Sequence, residues 1–208
     1  INNNDDIDGF IVQLPLPKDI NQEKILSKVD PFKDVDGFHP INYGKMALGI
    51  DTFLPATPAG IIELIKRSKI QTEGKKCLVI GRSQIVGRPI SILLSQNKIF
   101  GNSTVTVAHS RTSNLEELCL DSDLIISAIG KPEFIKGDMI KKGSTIIDVG
   151  ITRVDDSSSH KGYRIAGDVD FNSVSSRVGF ITPVPGGVGP MTIAMLLKNT
   201  LKACSLSD

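Results

Sequence analysis

An α/β fold built on a parallel sheet is predicted by three features of this sequence. A short apolar run at residues 77–80 passes through a turn bounded by Gly81 and Gly87 into residues 89–96, whose apolar side chains recur at helical spacing. Further apolar runs at 104–108, 123–130 and 145–151 follow at distances that leave room for a helical crossover. The last two end in glycine, so carboxyl ends gather at one edge, where open α/β sheets bind their ligands.

Taken in order, residues 7–17 read as a short apolar strand that carries Gln13 near its end and stops at prolines. A glutamine there is either satisfied by nearby backbone or turned towards a ligand. Residues 21–28 suit a short helix, and 30–40 form a loop rich in proline and acid. Within it Asp34 and Asp36 lack the further oxygen donors of a calcium loop, so no metal is expected. Tyr43 and Lys45 read as ordinary surface residues. Thr57 is placed as the N-cap and Pro58 as the first residue of a helix that continues over 59–69.

In the turn after the 77–80 strand, Gly81 allows a sharp bend and Gly87 a close approach, and Pro89 fits the first turn of a helix. Free N–H groups and the positive end of the helix would converge there on a phosphate. The glycine spacing differs from the usual dinucleotide fingerprint, so a turn without ligand stays open. The second strand, 104–108, runs into His109, Ser110, Arg111 and Thr112. An acidic residue at this place would hold the ribose hydroxyl of NAD. Ser110 and Arg111, with Arg82 on the first turn, suit a 2′-phosphate instead, which favours NADP; solvated surface charges are the alternative.

A helix at 114–120 precedes the third strand, residues 152–162 read as a solvated loop, and 164–170 as a fifth strand. Residues 182–192, with three glycines and three prolines, are stiff and nearly bare of side chains. Such a segment either lies flat against a planar ligand or makes a rigid turn between domains. An apolar helix follows at 193–201.

The 208 residues suffice for one large or two small domains. With 24 basic and 23 acidic side chains intermixed, net charge gives no case for nucleic acid or a membrane surface. No stretch approaches a membrane span, and no signal peptide is visible. Cys77, Cys119 and Cys204 lack metal spacing and are expected to be reduced and mostly buried.

Seven segments together resemble one family. They are the run Val12, Gln13, Leu14, Pro15, Leu16, Pro17; Lys33 to Gly37; Pro55 to Pro58; Gly81, Arg82, Ser83 with Val86, Gly87 and Pro89; His109, Ser110 and Thr112; Asp148, Val149, Gly150; and Pro185 to Thr192. In this order they closely resemble the bifunctional methylenetetrahydrofolate dehydrogenase/methenyltetrahydrofolate cyclohydrolase family. The resemblance implies an NADP-binding Rossmann domain at 58–182 between two parts of an α/β catalytic domain, 1–57 and 183–208, the second including the C-terminal helix. It implies NADP-dependent oxidation of 5,10-methylenetetrahydrofolate and hydrolysis of the methenyl product, within folate one-carbon metabolism and purine biosynthesis.

By the same resemblance Val12, Gln13, Leu14, Asp36, Pro185, Gly186, Gly187, Val188 and Gly189 face the folate, with Gln13 and Asp36 in the catalytic machinery. Gly81, Arg82, Ser83, Ser110 and Ile151 hold NADP, joined by Arg111 from the charge argument. A homodimer in the cytoplasm is expected, with a mitochondrial location left open. Family members also carry a Tyr-x-x-x-Lys motif upstream of the Gln13 segment, and its lysine is the principal catalytic group. The sequence begins downstream of that motif, so a chain inactive alone, or a non-catalytic NADP- or folate-binding paralogue, is the alternative. A shikimate- or amino-acid-type dehydrogenase is a third, which the Pro185 to Pro190 run disfavours.

Overall fold

The computed structural model describes residues 1–207. The chain runs α1 (Gln22–Leu26), α2 (Pro40–Ala47), α3 (Ala56–Arg67), β1 (Lys76–Ile80), α4 (Gly87–Ser95), β2 (Thr104–Ala108), α5 (Leu115–Asp121) and β3 (Leu124–Ser127). It continues through β4 (Thr145–Asp148), β5 (Thr152–Asp155), β6 (Tyr163–Ala166), α6 (Phe171–Val174), β7 (Phe180–Ile181) and α7 (Val188–Ser207).

Strands β1, β3 and β4 are apolar on both faces, a composition that is stable only when each face is covered. They form the middle of a parallel sheet in the order β2, β1, β3, β4, β7. Alternate residues then point to opposite sides. Cys77 and Val79 join Ile61 and Ile65 of α3, Ile90 and Leu94 of α4, and Val188 of α7. Leu78 and Ile80 join Ile125, Ile146, Cys119 of α5 and Val174 of α6 on the other face. Each fully buried aliphatic side chain contributes about 1.5–3 kcal/mol, so this double-sided core dominates the stability of the sheet. Burial raises the Cys77 thiol to about 12 and the Cys119 thiol to about 11, which keeps both inert.

Several expected elements are corrected. Residues 7–17 do not form a ladder; only Phe10 pairs, in parallel with Asp34, because the segment meets one neighbouring strand position and no more. The fifth parallel strand is β7, not 164–170. Residues 163–166 instead pair antiparallel with β5 as a separate hairpin, so the expected solvated loop at 152–162 holds a strand. Thr57 is not the N-cap: α3 begins two residues earlier, at Ala56, and the Thr57 and Thr192 hydroxyls lie 2.9 Å apart in a shared hydrogen bond. Helix α7 begins at Val188, five residues before the expected start. Helix α2 was not expected at all; the His39 ring nitrogen Nδ1 accepts from the Ile41 N–H at 3.1 Å and Pro40 occupies its first turn.

Candidate active site

Gly81 directly follows β1 at φ +123°, and a Cβ there would run into the Ala128 carbonyl oxygen. A Cβ on Gly87 would strike the Gly81 carbonyl, so both glycines are dictated by backbone against backbone. The first N–H groups of α4 are not free as expected. Ser83 Oγ accepts from Val86 and Gly87 at 3.1 and 3.3 Å, and the Ser83 carbonyl accepts from Arg88 at 3.0 Å. The N–H groups of residues 82–85 meet no acceptor among the described residues, so the anion-binding donors belong to the turn itself. The Ser83 hydroxyl proton remains available to a ligand.

Ile80 pairs with Ala108, so Arg82 and Ser110 both stand two residues beyond paired positions at the same sheet edge. Next to them the His109 turn is locked by its carbonyl accepting from Thr112 N–H at 2.8 Å and its Nδ1 from Arg111 N–H at 3.2 Å. Arg82, Ser110 and Arg111 are exposed, and neither guanidinium has a carboxylate partner among the described residues. Two unpaired cations, a hydroxyl and a run of open N–H donors fit a dinucleotide carrying an extra phosphate.

Two carriers of the opposite side come together further along the edge. Ile151, beyond β4, is 64% exposed, and a methyl group placed on Gly189 would lie 3.7 Å from its Cδ1. Pro185 and Gly186 are exposed, whereas Gly187 is buried and Val188 sends its side chain into the sheet core, leaving only backbone to a ligand. The loop is held by Thr182, whose Oγ1 accepts from the Asp148 N–H at 2.8 Å.

Asp36 is half-buried and makes no hydrogen bond among the described residues. Its two flanks are fixed. Asp34 is 3% exposed and accepts from the His39 N–H and Asn42 Nδ2, both at 2.8 Å. On the other side Gly37 sits at φ +72° where a Cβ would lie 2.7 Å from Leu54 backbone. Burial first, then the Asp34 charge, pushes the Asp36 carboxyl up to about 6. An unsatisfied carboxylate held in a rigid loop is an acceptor awaiting donors.

Gln13 is exposed and donates from Nε2 to the Leu14 carbonyl at 3.0 Å, which leaves its Oε1 open. Val12 and Leu14 are half-buried. Leu14 lines a cleft of about 430 Å³ together with Phe38, Tyr43, Gln84, Ile85 and Arg88. Of the expected folate-site residues Leu14 alone lines this cleft; Asp36 and residues 185–189 lie elsewhere. Tyr43 is not an ordinary surface residue. Its Oη is buried without a hydrogen-bond partner, and burial raises its pKa against the opposing pull of Arg88. Sequence reasoning missed Tyr43, Gln84 and Arg88 because α2 was not seen; His39-Pro40 as cap and first helical residue was the available signal.

A doubly wound parallel sheet with an N–H-lined turn carrying Arg82 after its first strand, and Ser110 and Arg111 after the second, defines a dinucleotide-binding α/β protein. Residues 55–208 match the tetrahydrofolate dehydrogenase/cyclohydrolase NAD(P)-binding domain, and residues 1–36 match the catalytic domain of the same family. The chain belongs to the tetrahydrofolate dehydrogenase/cyclohydrolase family. It is 63% identical over 203 residues to the bifunctional protein FolD of Flavobacterium johnsoniae, covering 98% of this chain and 69% of that one. Identity to the bifunctional protein FolD of Bacteroides fragilis is 55% over 98% of this chain and 69% of that protein. The crystal structure of the bifunctional FolD enzyme from Campylobacter jejuni is similar at a TM-score of 0.91 and 47% identity, covering 98% and 69% of the two chains. That of the Trypanosoma brucei enzyme, complexed with NADP cofactor and inhibitor, gives 0.89 and 41% over 96% and 67%.

Proposed function

We propose that this chain carries the NADP site and part of the folate site of a methylenetetrahydrofolate dehydrogenase/cyclohydrolase. The protein oxidises 5,10-methylenetetrahydrofolate to the methenyl compound with NADP and hydrolyses that product to 10-formyltetrahydrofolate, in folate one-carbon metabolism. The observation that carries this reading is the order of groups along one sheet edge. Ser110 and Arg111 after β2 come first, then the open N–H donors and Arg82 after β1, then, past β3, Ile151 after β4 against Gly189. Identity of 55–63% to bifunctional relatives gives no support to a non-catalytic paralogue.

When bound, NADP supplies the hydride acceptor. The N–H groups of residues 82–85 and the Ser83 hydroxyl hold its pyrophosphate, while Arg82, Ser110 and Arg111 take the 2′-phosphate. Ile151 and the bare backbone at Gly189 form the wall where nicotinamide and folate meet, which excludes water and fixes the approach. Asp36 accepts hydrogen bonds from pterin N–H groups, and Gln13 offers its open amide oxygen to the catalytic centre. The residues 185–187 lie along the folate, with Val12 and Leu14 on the other side.

The division into a folate-facing part, 1–57 and 183–208, and an NADP part, 58–182, is supported by Asn199 Nδ2 donating to the Val35 and Leu54 carbonyls at 2.8 and 2.9 Å. A homodimer is supported by β2, an edge strand whose outer N–H and C=O groups are unpaired and whose Val107 is 39% exposed. No described helix is long and apolar enough to cross a membrane. A cytoplasmic location and service to purine biosynthesis complete the reading.

The test is an assay of the full-length protein with 5,10-methylenetetrahydrofolate and NADP, following reduced cofactor and methenyl product. Turnover with subsequent loss of the methenyl compound is expected. NADP bound without turnover would overturn the enzyme in favour of a binding protein.

A further inference from the structure

Two carboxylates lie buried beside Gly150, the residue before Ile151, and no step above uses them. Asp148 is 3% exposed and Asp168 fully buried. Asp148 accepts from the N–H groups of Gly150, Asp168 and Val169, each at 2.9 Å. Asp168 accepts from the Ile129 and Lys131 N–H groups at 2.8 and 2.9 Å and from the Ser127 hydroxyl at 3.2 Å. Together they gather the segment after β3, the segment after β4 and the link from β6 to α6.

Neighbouring residues are shaped around the pair. A Cβ on Gly150 would overlap the Asp168 carboxylate, and one on Gly167 the Asp148 carboxylate. Burying two like charges side by side is costly, and burial raises the Asp148 carboxyl to about 6 although three N–H groups oppose the rise. A turn could be held by neutral side chains at less cost. What two carboxylates add is stiffness: six donors from separate segments converge on four oxygens, and one of those segments carries Ile151 immediately after Gly150.

We infer that Asp168, with Asp148 beside it, is a positioning residue for hydride transfer, holding the segments after β3 and β4 so that Ile151 and its neighbours fix the nicotinamide against the folate. The inference rests on the dehydrogenase/cyclohydrolase reading above. It separates the two reactions, because hydride transfer depends on the nicotinamide wall and the hydrolytic step does not use the nicotinamide.

The experiment uses the full-length protein and Asp168→Asn, which keeps the shape and turns one acceptor into a donor facing an N–H. Hydride transfer should fall about ten- to a hundredfold, as expected for a displacement below 1 Å at the reacting centre. The primary deuterium isotope effect with methylene-deuterated substrate should rise, NADP affinity measured by direct titration should stay within about threefold, and cyclohydrolase activity within about twofold. If Asp168→Asn does not fold, Ser127→Ala, which removes one donor from the same carboxylate, should give the same split at smaller size. Equal loss of both activities, or unchanged hydride transfer and isotope effect, overturns the inference. A parent protein that performs neither reaction overturns the functional reading instead.

Discussion

Asp36 makes the sharpest prediction available to a single side chain. Its carboxyl sits at about 6 instead of 3.8, mainly through burial, so the folded chain holds that proton more tightly than the unfolded one. Deprotonation therefore costs stability as pH rises from about 4 through about 6, while the carboxylate it creates is the form that accepts from a pterin. Folate affinity should rise with pH through about 6, and Asp36→Asn should abolish that rise, weaken folate binding and leave NADP affinity nearly unchanged. The same variant should raise the stability of the free protein at pH 7 by about 1 kcal/mol, read as a higher Tm. NADP affinity falling in step with folate affinity would make Asp36 structural. For Arg82 the expectation is selective: Arg82→Ala should weaken NADP about ten- to a hundredfold, the worth of a charged hydrogen bond, and NAD little. Equal loss for the two cofactors in parallel titrations would remove the 2′-phosphate assignment.

In the proposed reading the turn between β1 and α4 holds the cofactor, and its tolerance is set by backbone, not by side chains. Gly87→Ala should cost about 2 kcal/mol or more and abolish tight NADP binding, since its Cβ would meet the Gly81 carbonyl. Denaturant unfolding with and without NADP checks both; a variant of parental stability would show the turn to be pliable. Elements of this kind were legible in the sequence because a buried parallel strand is a continuous apolar run and its glycines punctuate it. The hairpin of β5 and β6 was only half legible: β5 is half-exposed and carries Arg153 and Asp155, which read as loop, while β6 overlaps the strand expected at 164–170 but pairs antiparallel with β5 outside the parallel sheet. Helix α2 escaped because Pro40 and Gly44 weaken a helical pattern of eight residues, and with it went Tyr43. The candidate site divides the same way. Arg82, Ser110 and Arg111 stood out as cations and a hydroxyl after strands, and Asp148 only as part of a family-like segment, whereas the backbone N–H groups that Asp148 and Asp168 accept from are displayed by no sequence pattern.

Across the whole molecule, α7 joins the two cores. Its first residue, Val188, packs with Ile61 and Val79 under the sheet, and Ala203 near its other end packs with Val35 and Phe53 beside the Asp36 loop. Twenty residues span about 30 Å, enough to connect the two regions directly. Asn199→Ala should therefore act at a distance from the cofactor, leaving the Val35 and Leu54 carbonyls without their donor at a cost of about 1–3 kcal/mol. Folate affinity should drop with it while NADP affinity holds, by titration of each ligand; a drop in both would show the two regions to be one unit. The contact between Thr57 and Thr192, and the fit of Gly60 against Met191, have a mechanical corollary. The two passages of the chain between its halves run side by side and are fastened to each other, as the two leaves of a book share one spine. Fastenings that lie along one line resist shear and twist between the two halves more than they resist bending about that line.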